Sequence, residues 1–294
     1  MSDAPESTTP AAGIATSRFR RDGWRGELVT GSPLHQWLLD GGRPESIGSP
    51  SDMLVRDGSR SQCFRITQLD EQTPLVAPMF FKIYRVRPGV QAWFKRRIGW
   101  HRTSWAWRLG WIIHSLGVNV AQPWGYLVPA PWRIGKCSYF WTEWIDDARH
   151  ARSLASEPSS RALLTDSLWF PLGVAEMLAR LHGGGVYHRD MNWGNLLVNT
   201  NSQRISLIDL DSAHRLSLKP HASACRDLAR FLMEATDYHV SDDWKNEFLD
   251  RYASIRKLQL RQLERQIEFT MRMFYRRRRK KRLPPQPAPT ARSV

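Results

Sequence analysis

The stretch Tyr187-His188-Arg189-Asp190-Met191-Asn192-Trp193-Gly194-Asn195, followed by Leu207-Ile208-Asp209-Leu210-Asp211, decides how this chain reads. Upstream of it, Ser167 to His182 places Leu168, Leu172, Ala175, Leu178 and Leu181 at helical spacing, and Gly183-Gly184-Gly185 stops that helix. Downstream come two short β-like runs around a polar turn, Asn195 to Asn199 and Ile205 to Leu210. Asp190 and Asn195 are thus expected between a helix and a strand, with Asp209 framed by apolar Leu207-Ile208 and Leu210.

Phosphoryl transfer from a nucleotide needs charge neutralised on the phosphates. It also needs a carboxylate that orients the attacking hydroxyl and accepts its proton. Asp190 is the candidate base. Asn195 and Asp209 are the candidate metal ligands, because a hard cation such as Mg²⁺ takes oxygen donors and completes its shell with phosphate and water. His-Arg-Asp alone is a weak signal. With Asn at the fifth following position and Leu-Ile-Asp on a later strand it is specific, and it matches the kinase catalytic loop. Asp209 is followed by Leu210-Asp211 rather than Phe-Gly, so no large Asp-Phe-Gly-type switch is expected. Asp211 reads equally as an assistant near the metal and as a solvated turn residue. Asp227 reads equally as an anchor of the catalytic-loop backbone and as a helix-start aspartate. His188 is expected to be structural, and His182 to pack at its helix end.

Upstream lies a strand–turn–strand pattern: apolar Met53-Leu54-Val55, the turn Asp57-Gly58-Ser59, and alternating Cys63 to Thr67. A third strand, Met79 to Tyr84, is apolar except for Lys82. A lysine there is costly to bury unless it meets an anion, and a nucleotide phosphate is such an anion. Gly58, Ser59 and Arg60 form either the loop over those phosphates, with Arg60 replacing missing glycines by charge, or an ordinary hairpin turn.

The rest of the chain sets the frame. Its 294 residues are 41% hydrophobic and 24% charged, ordinary for a globular protein, but 43 Lys and Arg against 28 Asp and Glu leave a net charge of +15. Such a field favours anionic partners: nucleic acid, acidic headgroups or phosphorylated substrates. No DNA- or RNA-binding signature accompanies the basic segments, and no specific nucleic acid is expected. Fourteen Trp is high and the composition does not explain it. Cys63, Cys137 and Cys225 are too scattered for a disulfide framework or metal site and read as reduced packing residues. No signal peptide or spanning apolar run is evident, which points to the cytoplasm, against a membrane face. Residues 91–116 read as a basic, Trp-rich helix that is either suited to a membrane interface or a solvated charged face with buried tryptophans, and the run Arg276–Arg282 would meet an anionic leaflet. The order, strands first and helices after, predicts an α+β bilobal fold. The expected layout is a disordered tail over residues 1–20, an N-lobe over 21–142, a C-lobe over 143–275 with Trp244 to Tyr275 as one long helical region, and a basic, Pro-rich tail over 276–294.

The catalytic stretch, Leu207-Ile208-Asp209-Leu210-Asp211-Ser212-Ala213-His214-Arg215 and the Lys82 strand resemble the lipopolysaccharide core kinases, the Kdo kinases and core heptose kinases of Gram-negative bacteria. The resemblance spans roughly residues 50–235 and implies a protein-kinase-like fold. It also implies an enzyme that phosphorylates a sugar hydroxyl of the lipid-anchored inner core with ATP and Mg²⁺, at the cytoplasmic membrane face. By position it implies Asp190 as base, Asn195 and Asp209 on the metal and Lys82 on the nucleotide phosphates. The backbone of Glu143-Trp144-Ile145 would hold adenine. One departure stands out: between Ile83 and Thr142 there is no Asp or Glu, so the usual glutamate partner of the strand lysine is missing from the following helix. Lys82 is then held by Asp209 and phosphate alone, or the protein is slow, or it is a catalytically silent membrane-associated scaffold; a separate alternative keeps the fold and changes the acceptor, as a protein Ser/Thr or small-molecule kinase.

Overall fold

A computed structural model describes residues 13–47, 53–85, 101–130, 132–133 and 136–282. The N-terminal half is a seven-stranded antiparallel sheet in the order β1-β2-β6-β7-β5-β4-β3. Its strands are β1 (Thr16–Arg21), β2 (Trp24–Val29), β3 (Met53–Asp57), β4 (Ser61–Gln68), β5 (Pro74–Tyr84), β6 (Pro123–Pro129) and β7 (Ser138–Glu143). Strand alternation gives the sheet two apolar faces. On one, Leu28, Phe81, Tyr139 and Trp141 pack with Leu34, Trp37 and Leu38 of α1 (Pro33–Leu39). On the other, Tyr84, Tyr126, Val128 and Phe140 pack against Trp107 and Trp111 of α2 (Arg102–Ser115). Ser32 caps α1 by accepting the His35 N–H at 3.1 Å.

The C-terminal half is helical around small β-pairs. It runs β8 (Arg149–His150), α3 (Ala151–Ser156), α4 (Pro158–Thr165), α5 (Trp169–Gly183), β9 (Val186–Tyr187), β10 (Leu196–Asn199), β11 (Arg204–Leu207), β12 (His214–Arg215), α6 (Pro220–Asp237), α7 (Asp242–Arg256) and α8 (Leu260–Arg282). Strands β11-β10-β8 form one small sheet and β12-β9 another. Much of the tryptophan excess goes inward: Trp107, Trp111, Trp141 and Trp193 are among the largest fully buried side chains. Among the described residues no single helix is long and apolar enough to cross a membrane.

Three expectations are corrected. The tail over residues 1–20 ends early, because Thr16–Arg21 form β1. The turn Asp22-Gly23, with φ of 51° and 74°, is the two-residue hairpin signal that pairs it to β2. The single helical region over Trp244 to Tyr275 is two helices, broken where Lys257 adopts φ 52°, ψ 48° and ends α7. The basic run is not tail: α8 continues through it to Arg282. Of the expected 91–116 helix, the part before residue 101 lies outside the described residues, as does the Pro-rich end from 283.

Phe170 ties the C-terminal core to the catalytic loop. It is fully buried, with its ring centroid 5.1 Å from Trp193, 6.0 Å from Phe231 and 6.2 Å from Trp244. Phe170→Ala is expected to lower unfolding free energy by about 3–5 kcal/mol, read from urea melts; a loss below about 1 kcal/mol would show that this cluster does not brace the loop.

Candidate active site

The catalytic loop is held from below by one face of α6. Asp227, with no exposed surface, accepts the backbone N–H of His188 and of Arg189, each at 2.7 Å. Its Oδ2 also faces His182 Nε2 at 3.4 Å, and His182 Nδ1 lies 2.8 Å from the Tyr252 hydroxyl. Arg189 sits at φ 65°, a conformation a side chain adopts only under constraint, and the Asp227 contact to its own N–H supplies that constraint. The reading of Asp227 as a backbone anchor thus prevails over an ordinary helix-start aspartate. His188 is structural in its geometry: Nε2 lies 3.1 Å from the Ile208 carbonyl, so it carries the proton and donates.

The turn opened by Asp227 presents Asp190. Its carbonyl accepts from Asn192 Nδ2 at 2.9 Å and from Asn195 Nδ2 at 2.8 Å. Its carboxylate is partly open to solvent and takes Arg230 Nη1 at 2.7 Å. Further along, Glu234 accepts the Trp193 N–H at 2.8 Å and is paired with Arg152, which also reaches Asn192 Oδ1 at 3.0 Å. Arg230 and Glu234 were not singled out from the sequence. The signal was available, because Asp227, Arg230 and Glu234 fall at i, i+3 and i+7, one polar stripe on a helix whose other residues are largely apolar.

Asp209 lies beyond β11, in a left-handed turn with φ 58°, ψ 62°. The Ile208 N–H donates to the Asn195 carbonyl at 3.0 Å, which ties the two candidate metal ligands together. Lys82 crosses from β5 in the other lobe and places Nζ 3.0 Å from Asp209 Oδ1 and 3.0 Å from Asp211 Oδ2. Burial alone would lower the Lys82 pKa, but Tyr84, Asp211 and Asp209 around it hold it well above the usual lysine value. Burial opposes ionisation of Asp209 as well, yet Lys82 and His188 keep its carboxyl below the usual range. Both partners therefore stay charged at neutral pH. Asp211, which the sequence left undecided, is drawn into this cluster, and Tyr84 donates its hydroxyl to Asp211 Oδ1 at 2.5 Å.

Asn195 and Asp209 fit a cation such as Mg²⁺. The Asn195 amide nitrogen is spent on the Asp190 carbonyl, which leaves its oxygen as the donor to a metal. Among the described residues no group of three or more His, Cys, Asp or Glu forms a metal cage; Mg²⁺ typically binds one or two carboxylates and leaves the rest of its shell to phosphate and water.

The remaining candidates are less focused. Gly58, Ser59 and Arg60 form the β3–β4 turn, closed by Gly58 N–H on Ser61 O at 3.0 Å and braced by Arg85, which donates to Gly58 O at 3.0 Å. A Cβ on Gly58 would meet only ordinary contact, so the turn does not demand glycine. Register places the turn beside the end of β5, because Ser61 pairs with Tyr84 and Cys63 with Lys82. At the expected adenine segment, the Glu143 N–H is spent on Gln122 O at 2.9 Å and the Trp144 N–H on Pro78 O at 3.3 Å. Those two N–H groups are thus engaged within the protein, and the Glu143 carbonyl accepts the Thr142 hydroxyl at 3.0 Å. The three cysteines are free, and burial pushes the Cys225 thiol up to about 11, so it stays protonated.

This combination of a β-rich lobe, a helical lobe, a clamped His-Arg-Asp loop and a strand lysine meeting the later Asp is a protein-kinase-like fold. The solved structure "WaaP in complex with acyl carrier protein" shares that fold, with a TM-score of 0.58 at 21% identity over 84% of this chain and 97% of that chain. Residues 147–252 match the model of the lipopolysaccharide kinase (Kdo/WaaP) family, so the resemblance to lipopolysaccharide kinases holds across the segment that contains Asp190, Asn195, Asp209 and Asp227. No curated protein sequence matches the chain.

Asp227→Ala leaves the buried His188 N–H and the part-buried Arg189 N–H without their acceptor; an unmet buried donor costs about 1–3 kcal/mol. The variant is expected to lose roughly 2–5 kcal/mol in chemical denaturation and to speed backbone amide exchange at His188 and Arg189. Unchanged exchange there would show that the clamp does not hold the loop.

Proposed function

We propose that this chain is an ATP-dependent kinase that phosphorylates a sugar hydroxyl, of heptose or Kdo, in the lipopolysaccharide inner core at the cytoplasmic membrane face. One observation carries the reading: Lys82 of the sheet lobe meets Asp209 of the helical lobe beside a loop that presents Asp190. The family match over 147–252 supports the acceptor class.

In this reading Lys82 steadies the nucleotide phosphates. Asp190 orients the acceptor hydroxyl and accepts its proton as the γ-phosphoryl moves in line. The Asp227 and Glu234 contacts keep the loop from drifting as the charge shifts. Arg230, already on Asp190 Oδ1, holds that carboxylate in one orientation. Asn195 and Asp209 would hold Mg²⁺, which when bound neutralises charge on the phosphates. The lack of an acid on the helix after Lys82 favours a silent scaffold, and the carboxylate partners of Lys82 favour an enzyme.

The substrate is lipid-linked, and the surface suits it. On α8, Arg276, Arg277 and Arg279 are exposed together with Phe269, Met273 and Tyr275. Basic residues near an anionic leaflet contribute ~1 kcal/mol each. A protein partner is a second reading, since the structural neighbour is a complex with an acyl carrier protein.

The deciding experiment is transfer of radiolabelled phosphate from ATP to lipopolysaccharide extracted from a strain lacking the gene. Asp190→Ala is expected to lower transfer by about 10²–10⁴-fold while ATP binding persists; a variant that keeps most of its activity would remove Asp190 from the chemistry. Co-sedimentation with anionic vesicles is expected to fall steeply as salt rises, and equal binding to neutral vesicles would sink the electrostatic part of the proposal.

A further inference from the structure

We infer that Asp211 is the standing counterion and positioning residue of Lys82, in the place that a helix glutamate fills in protein kinases, and that Tyr84 fixes Asp211 for this task. The inference rests on the phosphotransfer reading above and goes beyond it by naming a residue that acts through Lys82.

Three observations converge. The first is an absence in the sequence: α2, the helix that follows the lysine strand among the described residues, has no acid from Arg102 to Ser115, and neither does the rest of the stretch between Ile83 and Thr142. A buried lysine cannot go without an anion. The second is geometry. Lys82 Nζ divides itself evenly, at 3.0 Å, between Asp209 Oδ1 and Asp211 Oδ2. The two carboxylates are not equivalent, however: the Asp211 side chain is 19% exposed and that of Asp209 is 34% exposed. Asp211 is the one turned into the protein. The third is the means by which it is held. Lys82 and Tyr84 are two apart on β5 and so share one face of the strand. From that face the Tyr84 hydroxyl donates to Asp211 Oδ1 while Lys82 takes Oδ2, so both oxygens are committed. Trp105 of α2 donates its indole N–H to Ala213 O at 2.7 Å, which pins the short turn (Leu210–Ser212) that carries Asp211. The helix thus still buttresses the lysine, through the backbone of that turn instead of through a glutamate of its own.

The division of labour follows from chemistry. A carboxylate that is to serve a cation must have its oxygens available, and Asp209 is the more open of the pair. With Asp211 as a separate partner, Lys82 keeps its orientation while Asp209 is otherwise engaged.

The test is a double-mutant cycle on the full chain. Binding of a fluorescent ATP analogue is measured in chelator, and kcat, KM for ATP and the Mg²⁺ requirement are measured in the transfer assay, for Asp211→Asn, Tyr84→Phe and Lys82→Met. Loss of a negative charge strengthens polyphosphate binding in any background, so the diagnostic quantity is the part of the effect that depends on Lys82. Asp211→Asn is expected to lower kcat about tenfold or more, with KM for ATP and the Mg²⁺ requirement moving less than about twofold. Its effect on metal-free nucleotide affinity should differ by about threefold or more between the Lys82 and Lys82→Met backgrounds. An identical effect in both backgrounds overturns the inference. So does a Mg²⁺ requirement raised about tenfold, which would make Asp211 a metal ligand instead. Should Asp211→Asn fail to fold, Tyr84→Phe decides: a smaller but Lys82-dependent effect upholds the inference, and wild-type behaviour overturns it. Failure of the wild-type chain to bind any nucleotide would count against the kinase reading itself and is thereby distinguished.

Discussion

A carboxylate with no exposed surface, Asp227, sets the geometry of the catalytic centre. Buried charge is tolerated only when its lone pairs are filled. Here they are filled by the backbone of the loop itself, at His188 and Arg189, with His182 alongside. Each side needs the other: the loop supplies the donors that make Asp227 bearable, and Asp227 holds Arg189 in a left-handed conformation that the chain would otherwise leave. The sharp turn that follows aims Asp190 outward and its carbonyl toward Asn192 and Asn195.

The same helix grips the loop at two further points. Arg230 meets the Asp190 carboxylate and Glu234 meets the Trp193 N–H, so one stripe of α6 reads the loop from its first residue to its middle. Trp193 turns this polar grip into a packed one, because its ring lies among Phe170, Phe231, Tyr238 and Trp244. Aromatic side chains bury large area and prefer offset or edge contacts, which makes such a cluster stiff. The catalytic loop is therefore continuous with the core of the helical lobe rather than draped over it.

The fold was legible where one local signal sufficed. The Leu178-Leu181 periodicity with its three glycines gave α5, and apolar Met79 to Tyr84 gave β5 with its lone lysine. The kinase-like architecture followed from their order. What stayed hidden needed long-range information or was outweighed by composition. Asp22-Gly23 is a sound hairpin signal, but the polar segment before it read as tail. The break at Lys257 lacks a glycine, so Trp244 to Tyr275 read as one helix. Asp211 could not be told from a solvated turn residue, because its partner Lys82 is far away in the chain and the sheet register that brings Tyr84 to the same face had to be known first. The missing helix acid was visible in the sequence, but which residue stands in its place was not.

The charges of the site and the charge of the whole protein are separate matters. Within the site four acids share three cations from the chain: Asp209 and Asp211 share Lys82, Asp190 has Arg230, and Glu234 has Arg152, while Asp227 is met by backbone N–H groups. These contacts leave no cationic excess at the centre, so the net +15 is not concentrated there. The excess lies elsewhere, and α8 shows why folding does not account for it. Arg272 and Arg278 have acidic partners in Glu268 and Asp237, but these ion pairs are solvent-exposed and contribute little to stability. Repulsion between Arg276 and Arg279, three apart on one helix, is a small cost with no internal return. A surface that carries such a cost is best explained by an anionic partner outside the chain, and under the proposed function a lipid-linked substrate in an anionic leaflet would supply one.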